Sequence, residues 1–332
     1  MLANALAPRH HVAFIILNGE KVHEKYIDML VPGISIVKFV GERKERLAQY
    51  RQYIRTAAPD LIFSYLTAAN YYSVRASRGT ATRVVTGIRN SKLPLTKHIA
   101  DAILSRWGGV ASVSNCESGK RHFAATGFKR SKIEVIPNCF DPIDDYRERP
   151  EKDTVDVITV GRFVAQKDYH TAIRAVAEAA RGIPKLRFTI IGYGELEAQV
   201  RGWVSEAGIN DITRILINSD HISEELRNAD IYLSTSLFEG ISNSIMEGMN
   251  ADMPVVATSV GDNEVLVEHG YNGYIDATGD YMSMAGHIVE LASDAGLRRE
   301  MGRRSKQRLK ANFTKELFAE RYNELITKLL GR

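Results

Sequence analysis

The sequence predicts an α/β protein built as two tandem, doubly wound parallel sheets. Three observations lead there. Apolar runs of strand length alternate with helical stretches along the whole chain, the order that parallel sheets with crossover helices require. The alternation stops once, at a Pro-rich, charged, aperiodic stretch from Pro137 to Asp156, and then restarts, as at an interdomain linker. A length of 332 residues exceeds one ordinary core and suits two domains of average size.

In the first half, "HVAFIIL", "ISIVKFV", "DLIFSYL", "RVVTGI", "GVASVS" and "KIEVIP" read as strands, with helices from Arg43 to Ala57 and Leu95 to Arg106. "MLANALAPRH" reads as the end of a helix, so this domain's first strand and its glycine-rich turn are expected to be missing before Met1. In the second half "DVITVG" is a strand, and Tyr169 to Ala180 is a helix with apolar residues at helical spacing. "LRFTIIG", "RILI", "IYLST", "PVVAT" and "GYID" follow as strands, and helices from Tyr281 to Ala311 and Lys315 to Leu330 close the chain. Domain boundaries are expected at 145/146 and 312/313, with the last helix packing back on the first domain. Both domains read as Rossmann-like. In such sheets ligands bind beyond the carboxyl ends of strands, so residues just after strands are the candidates.

Hydrophobic content of 44% and charged content of 25% are those of a folded soluble protein. No apolar run approaches bilayer-spanning length, and the start lacks the cationic front and cleavage site of a secretory signal. Cys116 and Cys139 are the only cysteines; without CxxC spacing they fit a reduced, cytosolic compartment as small buried hydrophobes. Residues 1–150 hold 23 Lys+Arg against 13 Asp+Glu, or +10, and residues 151–332 hold 21 against 27, or −6. The basic half fits an anionic membrane surface and fits scattered solvated cations equally well. Nucleic acid is not expected, because "ERKER" and "FKRSK" come without a stacking pattern or binding motif. No histidine pair stands at metal-ligand spacing, so no metal is expected. P-loop, GxSxG and kinase signatures are absent.

Four stretches after strands of the second half could carry chemistry. In "VGRFVAQKDY" Gly161 ends a strand, Arg162 follows, and Lys167 stands just ahead of a helix. A guanidinium fork and a mobile ammonium suit a diphosphate, although surface charge at a turn would look the same. In "IIGYGELEAQV" Gly192 and Gly194 match half of a dinucleotide fingerprint, but position 197 is Glu. An acidic helix start repels phosphate, so tight-turn glycines walling a pocket fit better. "FEGISNSIME" puts Glu239 in a loop and Glu247 in a helix's early turns, with the amides near Ser242 to Ser244 as a helix N-terminus and anion site. A diphosphate there would leave each glutamate beside a different attached group; an exposed or capping Glu247 is the alternative. "ATSVGDNEVLVEHGYNGYI" offers the amides of Gly261, Asn263 and Glu264 at the same edge. In the first half Arg89 and Asn90, Tyr65, Thr67 and Asn70, and Ser114 and Asn115 also follow strands, with helix capping as their default role.

The ordered series "VGRFVAQKDY", "TIIGYGELE", "ILINSDHISEELRNADIYLSTSLFEGISNSIMEGMNADMPVVAT", "VGDNEVL" and "YNGYI", with "VIPNCFD" at the domain junction, resembles the retaining glycosyltransferases of family 4. The resemblance is close over residues 110–330 and only in outline before them. It implies the GT-B architecture, two Rossmann-like domains with a cleft between them. It also implies transfer of a sugar from a nucleotide diphosphate sugar, commonly a UDP-sugar, to an acceptor hydroxyl in glycan, polysaccharide or glycolipid synthesis. No metal and no cofactor beyond that donor are implied.

By position, Arg162 and Lys167 match the family's diphosphate-binding pair, Glu247 the acid that holds the ribose, and Glu239 the acid near the donor sugar. Gly240, Ile241, Ser242 and Asn243 match the amide loop beneath the diphosphate. Gly161 and Gly192 line the same pocket, and Ile217 lies in the nucleotide-base loop, where "LIN" replaces a usual glycine. In the implied chemistry Arg162, Lys167 and the amides stabilise charge building on the departing diphosphate, with retention of configuration and no enzymatic nucleophile. A histidine common on the family's amino-terminal domain has no counterpart; Arg89 or Tyr65 stands in its region. The expected partners are the donor, a glycan or lipid-linked acceptor, and peripherally the inner face of the cell membrane. Two rivals keep the architecture: a sugar-nucleotide epimerase, and an inactive nucleotide-binding remnant.

Overall fold

Every strand pairing among the described residues is parallel, as crossover connections between successive strands dictate. The structure is a computed structural model and describes residues 1–22, 24–88, 94–140 and 152–331. Its chain forms two compact units, Met1–Cys139 with Lys315–Arg332, and Phe140–Thr314. The boundary expected at 145/146 lies outside the described residues. The observed division at Thr314/Lys315 falls two residues after the expected one. On the second unit's side the Phe140 amide donates to the Phe313 carbonyl at 2.8 Å, tying its first and last segments together.

The first unit runs α1 (Leu2–Leu6), β1 (Ala13–Ile16), α2 (Glu24–Asp28), β2 (Ser35–Lys38), α3 (Arg43–Ala57), β3 (Leu61–Tyr65), α4 (Thr67–Ala76), β4 (Arg83–Ile88), α5 (Leu95–Trp107), β5 (Ala111–Ser114), α6 (Glu117–Ala125) and β6 (Ile133–Val135). A terminal helix, Lys315–Leu330, completes it. The sheet is in two pieces, β1-β2 and β3-β4-β5-β6, where a single doubly wound sheet was expected. Side chains rather than ladder hydrogen bonds join them: Val12 shares a core with Leu61 and Phe63, and Ile15 and Leu17 share one with Ile62. The terminal helix buries Phe318, Tyr322, Leu325 and Ile326 against Val85 and Val113, and the Tyr65 and Tyr322 hydroxyls meet at 2.6 Å. α6 is capped by Cys116, whose sulfur accepts the Gly119 amide at 3.3 Å. Neither Ser114 nor Asn115 caps it, because the Ser114 hydroxyl is spent on the Cys116 carbonyl at 2.9 Å. Both cysteines are buried.

The second unit runs β7 (Val155–Arg162), α7 (Tyr169–Gly182), β8 (Leu186–Tyr193), α8 (Glu197–Glu206), β9 (Thr213–Ile217), α9 (Ile222–Asn228), β10 (Ile231–Ser234), α10 (Asn243–Asn250), β11 (Val255–Thr258), α11 (Asn263–Leu266), β12 (Gly273–Asp276), α12 (Tyr281–Ser293) and α13 (Ala295–Asn312). The single helix expected over 281–311 is two. Asp294 leaves helical backbone (φ −119, ψ 99) and its side chain accepts the Leu297 amide, capping α13. Strand order is β12-β11-β10-β7-β8-β9. The sheet grows from β7 in one direction, then from β7 in the other, which leaves a topological switch point between β7 and β10. Both faces are covered, so strand residues such as Val157, Phe188, Ile190, Ile231, Leu233 and Val256 are fully buried. No described helix is long and apolar enough to cross a membrane.

Candidate functional site

The switch point gathers most of the residues singled out in the second half. β7 delivers Gly161 and Arg162, the latter exposed at the sheet's carboxyl edge. The Gly161 carbonyl accepts the Tyr169 hydroxyl at 2.7 Å. The chain then makes one tight turn, Ala165–Lys167, and Asp168 takes a left-handed conformation (φ 44, ψ 55) while its carboxylate caps α7. That turn fixes the Lys167 backbone, because the Thr235 hydroxyl reaches the carbonyls of Lys167 and Asp168 at 3.0 and 2.9 Å.

Across the switch point Lys167 Nζ donates to Glu239 Oε1 at 2.6 Å. The Ser236 hydroxyl donates to the same oxygen at 2.8 Å. Gln166 donates through Nε2 to the Phe238 carbonyl, and its own carbonyl accepts the Leu237 amide, both at 2.8 Å. The loops after β7 and β10 are therefore stitched together. The Lys167 and Glu239 side chains are only 19% and 11% exposed, which separates this pair from rim salt bridges worth about 0–1 kcal/mol. Removing either partner would leave a poorly solvated charge behind.

α10 supplies the next layer. Its N-cap is Ser242, whose hydroxyl accepts the Ile245 amide at 3.4 Å, leaving other first-turn amides at the helix's positive end. Glu247 lies in the second turn and is half-buried. Burial raises its carboxyl above the usual carboxylate range, and the Lys167 charge opposes that rise. The alternative of an exposed or capping Glu247 is thereby excluded. Gly248 lets α10 rest on the buried Tyr232 ring; a Cβ there would stand 2.4 Å from Tyr232 Cγ.

Neighbouring loops close around this centre. The Asn218 amide donates to the Gly192 carbonyl at 3.2 Å, which brings Ile217 beside Gly192. Gly261 has left-handed backbone (φ +61), and any Cβ would stand 2.4 Å from the Gly240 carbonyl. The Asp262 amide donates to that carbonyl at 2.8 Å. Asn263 is fully buried; its Nδ2 donates to the Thr258 carbonyl, and its Oδ1 has no partner among the described residues.

The candidates of the first half fare differently. Arg89 and Asn90 lie outside the described residues. Thr67 and Asn70 donate to Asp101 at 2.6 and 2.9 Å, and Tyr65 meets the terminal helix; all three serve the first unit's interior. Among residues not singled out beforehand, Ser236, Thr235 and Gln166 hold the Lys167–Glu239 arrangement. Their signal was position: Thr235 and Ser236 directly follow β10. Among the described residues no group of three or more His, Cys, Asp or Glu is placed to hold a metal.

A doubly wound parallel unit with two cations, a helix N-terminus and two carboxylates at its switch point is built as nucleotide-binding α/β units are. The chain belongs to the glycosyl transferases group 1 family, whose profile matches residues 142–308. It is 27% identical over 205 residues to the lipopolysaccharide core biosynthesis glycosyltransferase LpsE of Rhizobium meliloti, covering 60% of this chain and 59% of that one. It is 29% identical over 144 residues to the amylovoran biosynthesis glycosyltransferase AmsK of Erwinia amylovora, covering 41% and 35%. The match thus spans less than two thirds of either relative. Anabaena HepE, solved in complex with UDP-glucose, superposes with a TM-score of 0.85 at 19% identity, covering 98% of this chain and 94% of that one. The fold is therefore GT-B, an α/β fold of two Rossmann-like domains.

Proposed function

We propose that the protein is a hexosyltransferase that moves a sugar from a nucleotide diphosphate sugar, a UDP-sugar, to an acceptor hydroxyl with retention of configuration. The observation that carries this reading is the convergence of Arg162, the Lys167–Glu239 pair and the α10 N-terminus at one switch point. Family membership and a structural neighbour that holds UDP-glucose support it. The diphosphate lies against Arg162, Lys167 and the amides of Gly240 to Asn243. Glu247 accepts the ribose hydroxyls, Ile217 borders the base, and Glu239 meets the donor sugar. Through its ion pair Glu239 also holds Lys167 in place.

As the bond between the sugar's anomeric carbon and the diphosphate breaks, charge grows on the departing oxygen, where the cations and amides are preorganised to receive it. The acceptor oxygen forms the new bond and its proton passes to the departing diphosphate, giving glycoside and nucleoside diphosphate without a protein nucleophile or a metal. Relatives named for lipopolysaccharide core and amylovoran biosynthesis favour a glycan or lipid-linked acceptor at the inner face of the cell membrane, reached from the cytoplasm.

UDP binding tests the reading. At UDP about 100-fold above its Kd, linkage adds about 2.7 kcal/mol to the native state, a rise of roughly 5–10 °C in melting temperature for a unit of this size. Lys167→Ala should abolish the rise, and Glu247→Ala should weaken UDP while Glu239→Ala mainly slows transfer. A parent protein that UDP does not shift would refute the proposal. NMR of a UDP-sugar incubated with protein alone separates transfer from epimerisation.

A further inference from the structure

α5 buries Asp101 and Ser105 and leaves a row of large apolar side chains facing outward. Asp101 and Ser105 are 5% and 0% exposed, whereas Leu95, Ile99, Ile103 and Trp107 are 73%, 49%, 54% and 83% exposed. Recurring at every fourth residue, these four form one stripe along about 18 Å of helix. Val110, also exposed, follows just past the helix end.

The inward face explains why the stripe stays out. Asp101 accepts from the Thr67 hydroxyl at 2.6 Å and the Asn70 amide at 2.9 Å, and Asn70 in turn accepts the Ser64 hydroxyl at 2.9 Å. Ser105 accepts from Ser112 at 2.9 Å. At the helix's end Lys132 Nζ reaches the Gly109 carbonyl at 2.8 Å, and Arg106 Nε donates to the Gly127 carbonyl at 2.6 Å. Rotating α5 to bury the stripe would strand this buried network, which is costly at each unpaired group.

Charge identifies the occupant. Residues 51–135 hold 14 Lys+Arg against 4 Asp+Glu, and one of those four is the buried Asp101. Lys97 and Arg106 are exposed on α5 itself. The segment at Thr126–Gly127 is hydrogen-bonded to α5, and after the buried Phe128 come exposed Lys129 and Arg130. A rigid apolar stripe that ends in an exposed Trp and is bordered by cations matches the headgroup zone of an anionic bilayer.

We propose that α5 docks the protein on an anionic lipid bilayer, with Leu95, Ile99, Ile103 and Trp107 entering the headgroup region and the bordering cations facing lipid phosphates. The inference takes from the proposed function only the acceptor's place at a membrane. Its test contains no nucleotide sugar, so failure here and failure of UDP binding are read separately. The full chain should sediment with vesicles of phosphatidylcholine plus phosphatidylglycerol, and much less with phosphatidylcholine alone. The I99S/W107S double variant should bind about tenfold or more weakly with unchanged melting, since both sites are exposed. The chain's two tryptophans are Trp107 and Trp203, so in a Trp203→Phe background the emission of Trp107 should shift to the blue on adding anionic vesicles. Absent vesicle binding, equal binding by the double variant, or unshifted Trp107 emission would each overturn the proposal. So would an oligomer that the double variant dissolves, which would assign the stripe to a second copy of the chain.

Discussion

Replacing Gly248 by Ala tests whether α10 is held where the proposed chemistry needs it. The new methyl would lie 2.4, 2.6 and 2.8 Å from Cγ, Cδ2 and Cβ of Tyr232, against 3.4–4 Å for ordinary contact. The ring cannot yield: Tyr232 is fully buried and its hydroxyl donates to the Val160 carbonyl at 3.3 Å. α10 must therefore retreat by roughly 1 Å, an overpacking of about 1–3 kcal/mol. For a unit of this size that lowers the melting temperature by roughly 2–12 °C. The same retreat displaces Ser242 to Glu247, and a misplacement of about 1 Å can cost on the order of 100-fold in rate. Gly202, inside α8, is the control, because nothing lies within 4 Å of its Cβ position. There Ala should stabilise by about 0.5–1 kcal/mol and leave transfer unchanged. Calorimetry and sugar-transfer rates read both variants. A Gly248→Ala protein that melts and turns over like the parent would refute the packing account.

Three more predictions follow from named contacts. Burial raises the Glu247 carboxyl in the folded state, so its contribution to stability is full below the unfolded value and is lost as pH rises through the folded one. Glu247→Gln should accordingly gain on the parent from acid toward neutral pH in urea titrations, while UDP binds about 10- to 100-fold more weakly; a gain that shrinks with pH contradicts the sign. A double-mutant cycle of Lys167→Met with Glu239→Gln should give a coupling above the roughly 1 kcal/mol of exposed pairs, and additive effects would mean the pair is solvated in practice. Asp101→Ala strands the Thr67 and Asn70 donors, so the first unit should lose roughly 2 kcal/mol or more and α5 amides should exchange faster. Unchanged exchange would show that the network does not hold α5.

The second unit was the more legible half. Its strands are short apolar runs such as "DVITVG" and "IYLST", and four of the six runs end in Gly or Thr, so most post-strand loops could be found by pattern. The helices around Asp294 were less legible, because an apolar period runs through both and only the cap geometry breaks them. In the first half, Thr67 and Asn70 had the right position after a strand for ligand residues. They instead satisfy the buried Asp101 carboxylate, a need that no local pattern announces.

Spacing alone placed Lys167, Glu239 and Glu247 after strands of the second half, and Arg162, which proves to be the last residue of β7, at a strand end, because strand periodicity and helix starts are local properties of the chain. It could not determine that Lys167 and Glu239, 72 residues apart, meet as an ion pair. That depends on β7 and β10 being neighbours, which is a choice of strand order. Likewise, the sequence reads 95–106 as a helix without saying which of its side chains are buried. Only the tertiary structure decides, because Asp101 and Ser105 find hydrogen-bond partners inside the unit and the apolar stripe, having no such requirement, is left to face outward.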